Sequence, residues 1–342
     1  MAKHRHSASS WGRLFQHSLK LISGPTARAG QAAVVSAMRA GARTLRPPPG
    51  TGDWLPGFVI GAAGARRYHV YRPQGLAMDM NTARRVPLVV MLHGCGQDAK
   101  TFALSTRMNR VAAREGFLVL YPEQDRLANM QGCWNWFDTD SGRAYGEAGL
   151  IIKAIEQVAM LFPVDRTRVA VVGLSAGASM AALLATRHPE RFGAVVMHSG
   201  IPPGSAHSPL SAMGAMHGRR PGTMAAARLR PPPSTAGAWP PLLVIHGAND
   251  TVVAPRNGHA AALDWARAAG ALAGPARAVQ RGQRYPMTVT DFHLEKRLVA
   301  RWVGVSHLGH AWSGGAAGQP HGDAKGPDAS RMAWAFIAAQ WP

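Results

Sequence analysis

Residues 169–181 read VAVVGLSAGASMA. The apolar run Val169–Val172 predicts a short strand buried on both faces. From Ala176 to about Arg187 the chain reads as a helix. Between the two, Gly173-Leu174-Ser175-Ala176-Gly177 fits G-x-S-x-G in the context that gives the motif chemical meaning, a strand before and a helix after. The two glycines permit a sharp turn and a close approach of neighbouring elements. The hydroxyl of Ser175 is then held above the sheet edge, beside free N–H groups and the positive end of a helix dipole.

Working outward, the same alternation continues on both sides. Arg67–Arg72, Val86–Leu92, Phe117–Tyr121, Ala194–His198 and Leu242–His246 predict strands, and Asp291–Val305 holds one or two more. Phe102–Arg114, Gly146–Phe162 and Met332–Trp341 predict helices. Strands alternating with helices predict an α/β fold with a mostly parallel, doubly wound sheet, whose catalytic groups lie at the carboxyl ends of the strands. The pattern lapses between Ile201 and Pro241, a stretch rich in Pro, Gly, Ala, Ser and Arg. It is too long for an ordinary connection and predicts a cap, a binding loop or a disordered insertion.

The 342 residues carry a formal charge of +20, unevenly placed. Residues 1–50 hold eight Lys or Arg and no Asp or Glu. This predicts a basic N-terminal segment, partly disordered or folded into short amphipathic helices around Trp11–Ile22 and Val34–Leu45, ahead of a catalytic domain over 51–342. No apolar run is long enough to cross a membrane. Trp11–Ile22 is interrupted by polar residues, unlike a secretion signal. Two cysteines, Cys95 and Cys133, exclude a disulfide scaffold and a zinc site, and leave one bridge open.

A serine needs a base, and the base needs an orienting acid. On a fold of this kind the chain order is Ser, acid, His. Asp250 follows the strand Leu242–His246 and is the candidate acid, better placed than Asp264 or Asp291. His310 lies in a glycine-flanked loop after the last strand and is preferred to His307 as general base. One oxyanion donor is expected from the N–H of Ala176, next to the nucleophile. The other is expected from the N–H of Cys95 in the loop Leu92-His93-Gly94-Cys95-Gly96-Gln97, with His93 shaping that loop. Acyl transfer through such a set needs no metal and no organic cofactor.

At these residues the chain resembles the esterase family of poly(3-hydroxybutyrate) depolymerases, which is close to feruloyl and acetylxylan esterases. The likeness rests on LHGCGQDA (92–99), CWNWFD (133–138), VDRTRVAVVGLSAGASMA (164–181), HPERFGAVVMHSG (188–200), IHGANDTVV (245–253) and LGHAWSGG (308–315). It implies the α/β-hydrolase fold and the same triad, Ser175, Asp250 and His310. It also implies substrate contacts at Trp134, Trp136 and Trp312, against the alternative that these are core tryptophans. Cys95 and Cys133 fall in two active-site loops where secreted relatives could carry a bridge; in a reducing cytosol free thiols are expected.

Two departures from secreted depolymerases, the missing signal and the end of the chain one helix past the triad, raise the expectation of a cytoplasmic enzyme acting on storage granules. The basic N-terminus would then dock on the granule, with secretion as the alternative. The substrate expectation is poly(3-hydroxybutyrate) or its oligomers. A feruloyl- or acetyl-type small-ester esterase is the enzymatic alternative, and a basic granule- or nucleic-acid-associated protein the non-enzymatic one. No nucleic-acid-binding motif is present, only bulk charge, so nucleic acid is not the expected partner.

Overall fold

The computed structural model describes residues 50–76, 84–219 and 239–341. The chain separates into two units, Met1–Pro47 and Pro48–Pro342, and every described residue belongs to the second. The expected basic segment with its amphipathic helices therefore lies outside the described residues, as does most of the second half of the 201–241 stretch.

In chain order the elements are β1 (Gly52–Gly61), β2 (Gly64–Pro73), β3 (Val86–Leu92), α1 (Ala99–Thr106), α2 (Met108–Glu115), β4 (Leu118–Pro122), α3 (Arg143–Leu161), β5 (Val164–Leu174) and α4 (Ala176–Arg187). They continue with β6 (Ala194–His198), α5 (Pro209–Met216), β7 (Leu242–Gly247), α6 (Arg256–Ala269), β8 (Leu272–Ala273), β9 (Arg277–Val279), β10 (Met287–Leu294), β11 (Arg297–Val305), β12 (Trp312–Ser313), β13 (Gly322–Asp323) and α7 (Ala329–Ala338). The main sheet runs β1-β2-β4-β3-β5-β6-β7-β11-β10-β8, with β9 also on β10. Its centre, β4-β3-β5-β6-β7-β11, is parallel throughout. Antiparallel strands flank it on both sides.

The central strand β3 is short, apolar and buried throughout because helices cover both faces. Alternate residues of one strand go to opposite cores. Leu88, Val90 and Leu92 of β3 pack with α3, α4 and α6, whereas Val89 and Met91 pack with α1, α2 and α7. Each such buried Val or Leu is worth roughly 1.5–3 kcal/mol relative to exposure. The alanine-rich α4 is buried over almost its whole length, since small side chains let it press against the sheet.

The single helix expected over Phe102–Arg114 is two. Arg107 takes a left-handed conformation (φ 57°) that ends α1 and starts α2, and its guanidinium donates to the carbonyl of Gly314. A contact 207 residues away breaks a helix that local propensity would continue. Within the irregular stretch, α5 is set by Ser208, whose Oγ caps the helix while the Ser211 hydroxyl bonds back. Among the described residues no helix is long and apolar enough to cross a membrane.

Candidate active site

Ser175 stands between the end of β5 and the start of α4 with φ 57° and ψ −122°, a conformation costly for a residue with a Cβ. The surroundings hold it there. Its N–H donates to the carbonyl of His198 at 2.8 Å, and both flanking glycines are required by contact. A Cβ on Gly173 would fall 2.2 Å from the backbone of Gly177, and one on Gly177 would fall 2.2 Å from the carbonyl of Leu92. The turn is tight enough that no larger residue fits at Gly173 or Gly177.

The other two candidates arrive from neighbouring loops at the same edge of the sheet. Asp250 lies just past β7 and His310 just past β11. The Ser175 hydroxyl donates to His310 Nε2 at 2.9 Å, and His310 Nδ1–H donates to Asp250 Oδ2 at 2.7 Å. His307 is exposed and stands beside Tyr285 instead; Asp291 is engaged by Arg277 and Arg301. The structure thus brings together the residues chosen from the sequence and leaves the rivals elsewhere.

The Asp250 side chain is fully buried. Burial by itself raises a carboxyl's pKa, but hydrogen bonds from His246 and His310, the nearby imidazole charge and the Val253 N–H hold it well below the usual carboxylate range. Its Oδ1 accepts from the N–H groups of Val252 and Val253 at 2.9 and 2.8 Å.

Among the described residues the Cys95 N–H donates to no backbone group, and the Ala176 N–H, in the first turn of α4, donates to none outside that helix, which leaves both available to an incoming oxygen. The loop bearing Cys95 is gripped by side chains on either side of Gly94. Gln97 Oε1 accepts from the Gly94 N–H at 2.9 Å, and His93 Nδ1–H donates to the Gly94 carbonyl at 2.8 Å. His93 Nε2 accepts from the N–H of Gln124, which fixes this tautomer. Because a trans peptide points its C=O and N–H in opposite directions, holding the Gly94 carbonyl toward His93 turns the Cys95 N–H away from it. His93 shapes the loop as expected; Gln97 was not foreseen.

The bridge that the sequence leaves open is formed between Cys95 and Cys133, in place of the free thiols expected of a reducing cytosol. It ties the Cys95 loop to the loop after β4, alongside a backbone bond from the Gly96 N–H to the Gln131 carbonyl. That second loop is organised by Glu147 of α3, which is buried and accepts from Gln124 Nε2, Asn135 N and Asn135 Nδ2 while pairing with buried Arg66. Nothing in local sequence marks Glu147, since its partners lie 12 to 81 residues away.

The three tryptophans are also corrected. Trp134 and Trp312 are fully buried and Trp136 nearly so, so they do not offer a face to substrate. Trp134 Nε1–H donates to the His93 carbonyl. Trp312, two residues past His310, stacks on His198 and donates to Ser330 Oγ. They anchor the loops that carry the candidate site. The rings of Trp134 and Trp312 can fill the core because the N–H of each finds an acceptor inside it.

A strand–serine–helix turn, a histidine between that serine and a buried carboxylate, and two free N–H groups form a set capable of nucleophilic acyl transfer. The chain is 33% identical over 187 residues to poly(3-hydroxyalkanoate) depolymerase C of Paucimonas lemoignei, spanning 50% of this chain and 42% of that one. It is 28% identical over 218 residues to feruloyl esterase B of Neurospora crassa, spanning 60% and 70%. In structure it is similar to an acetyl xylan esterase from Aspergillus awamori, with a TM-score of 0.57 at 20% identity over 75% of this chain and 93% of that one. That likeness supports the α/β-hydrolase fold. The chain therefore spans less than half the length of the depolymerase it matches. The profile of the family described as esterase PHB depolymerase matches residues 66–284, well over half the chain and including Ser175 and Asp250, and the chain belongs to that family.

Proposed function

We propose that the protein is a serine carboxylic-ester hydrolase that works through an acyl-enzyme on Ser175, with poly(3-hydroxybutyrate) or its oligomers as substrate. The observation that carries the reading is the continuous hydrogen-bonded line from Ser175 Oγ through His310 to Asp250. In this reading His310 Nε2 takes the hydroxyl proton as Oγ attacks the ester carbonyl. The oxyanion is received by the N–H groups of Cys95 and Ala176 at the positive end of α4. Asp250 stabilises the imidazolium, which then protonates the departing alcohol, and a water deprotonated by His310 releases the acid.

The polyester assignment is supported by the family, by the likeness to a polyhydroxyalkanoate depolymerase, and by apolar side chains near the candidate site. Leu127 and Met130 are almost fully exposed on the loop tethered to Cys95, and Val252 is exposed beside Asp250. Hydrolysis of feruloyl or acetyl esters is the second reading, favoured by the longer match to the feruloyl esterase. The Cys95–Cys133 bridge favours an oxidising compartment over the cytoplasm, which makes secretion the better proposal and weakens that of granule docking by residues 1–50.

The test is 3-hydroxybutyrate release from amorphous polymer, with p-nitrophenyl butyrate, methyl ferulate and acetylated xylan in parallel. Polymer turnover that vanishes in Ser175→Ala supports the full reading. Turnover of feruloyl or acetyl esters alone moves the substrate to the second reading.

A further inference from the structure

Asp250 has a second histidine. His246, the residue before the last of β7, is wholly buried, and its Nε2 lies 3.2 Å from Asp250 Oδ2, the same oxygen that receives His310 Nδ1–H. Nε2 also lies 3.0 Å from the carbonyl of Val253. Both neighbours of Nε2 are acceptors, so this nitrogen carries the proton. Among the described residues Nδ1 has no partner, and it holds the bare lone pair; the opposite tautomer would bury an unpaired N–H and set a lone pair against two oxygens.

The ring has little room to turn. A Cβ on Gly258 of α6 would stand 2.5 Å from its Nδ1 and 2.6 Å from Trp302, so glycine is what lets the helix close over the imidazole. With Oδ1 taken by the N–H groups of Val252 and Val253, the His246 Nε2–H, shared between the Val253 carbonyl and Oδ2, completes the carboxylate's shell and leaves it one orientation. His310 can then be held only in the tautomer that presents Nε2 to Ser175.

We infer that His246 is a positioning residue for the reaction, donating from Nε2 to Asp250 so that the acid holds His310 in register with the nucleophile. This rests on the reading of Ser175, His310 and Asp250 as the catalytic set. The four-residue spacing in IHGAND (245–250) follows from the geometry: the strand ends, the chain turns back, and the aspartate comes under the histidine ring.

The inference is tested on the full chain with p-nitrophenyl butyrate, using His246→Gln, His246→Asn and His246→Leu beside Ser175→Ala and Asp250→Asn. A glutamine amide reaches the place of Nε2, whereas an asparagine amide reaches only that of Nδ1, which donates to nothing here. His246→Leu and His246→Asn are expected to lower kcat about 10- to 100-fold, the worth of one hydrogen bond to a charged group, with KM little changed. His246→Gln is expected to restore most of kcat. Because the Gln and Asn variants are both polar and close in size, their comparison stands even where the Leu variant fails to fold. Equal kcat for Gln and Asn, or a Leu variant as active as the parent, overturns the role of His246. Full activity of Ser175→Ala or Asp250→Asn would instead overturn the catalytic set.

Discussion

At Ser175 the backbone is forced where serine does not go by itself, and the force comes from named contacts. Gly177 sits under the carbonyls of Leu92 and His93, and Gly173 under the backbone of Gly177. The G-x-S-x-G signal is legible in sequence because the geometry admits no alternative at the two glycines. His246 and Gln97 are less legible. A histidine at a strand end and a glutamine in a polar loop are ordinary residues until their partners are known. The tryptophans misled because an aromatic near a triad suits both a substrate wall and a packed anchor. Only burial and the acceptors at His93 and Ser330 separate these roles.

His198 gives a prediction at the same scale. Its ring is buried against Trp312, accepts from the Ser313 N–H, and is held neutral, its pKa lowered to about 3 chiefly by burial. In the unfolded chain a histidine takes a proton below about pH 6.5. As pH falls from 6.5 toward 3 the unfolded state gains that proton first, so the native state loses stability across that window. Thermal unfolding between pH 7 and pH 4 is expected to show this fall, with a shallower slope in His198→Gln. Identical slopes would remove His198 from the account. Burial also lowers the pKa of His93, so some slope remains in the variant.

Among the elements, the loops after β3 and β4 form one unit. The disulfide joins them, Gly96 bonds Gln131, and Glu147 braces the second loop from α3. The unit presents the Cys95 N–H, so its rigidity bears on oxyanion stabilisation, where loss of one donor costs about 10²–10³ in turnover. Cys133→Ser is expected to lower kcat at least about tenfold, with KM nearly unchanged, and dithiothreitol is expected to bring the parent to the same level. The bridge spans 38 residues, and closing such a loop contributes roughly 3–4 kcal/mol in the chain-entropy view, so the variant also melts earlier. A reduced enzyme with unaltered kcat would show that the loop keeps its shape without the bond. The division of the expected 102–114 helix at Arg107 has a related setting, since the side chain of that residue reaches the carbonyl of Gly314.

For the whole molecule, the sequence pattern marked the central parallel strands well. Strands covered on both faces are unbroken apolar runs, and β3 and β6 fall where their runs do. The edges were harder. β1 alternates weakly, with Phe58 and Ile60 exposed, and it exists by pairing along its length with β2. α6 follows a loop and carries polar residues on one face, so its start at Arg256 has no strong local signal. The site was legible because chain order and strand ends in this fold restrict where an acid and a base can come from. The carboxylate's other partners were not, because they depend on side chains meeting in space.

In the proposed reaction Ser175 carries the acyl group. This is tested most directly by mixing the protein with p-nitrophenyl butyrate, quenching in acid within the first turnover, and locating the added mass by peptide mass spectrometry. One butyryl group is expected on the peptide containing Ser175, released on longer incubation and absent in Ser175→Ala. A butyryl group on another residue, or ester turnover undiminished in Ser175→Ala, would contradict it.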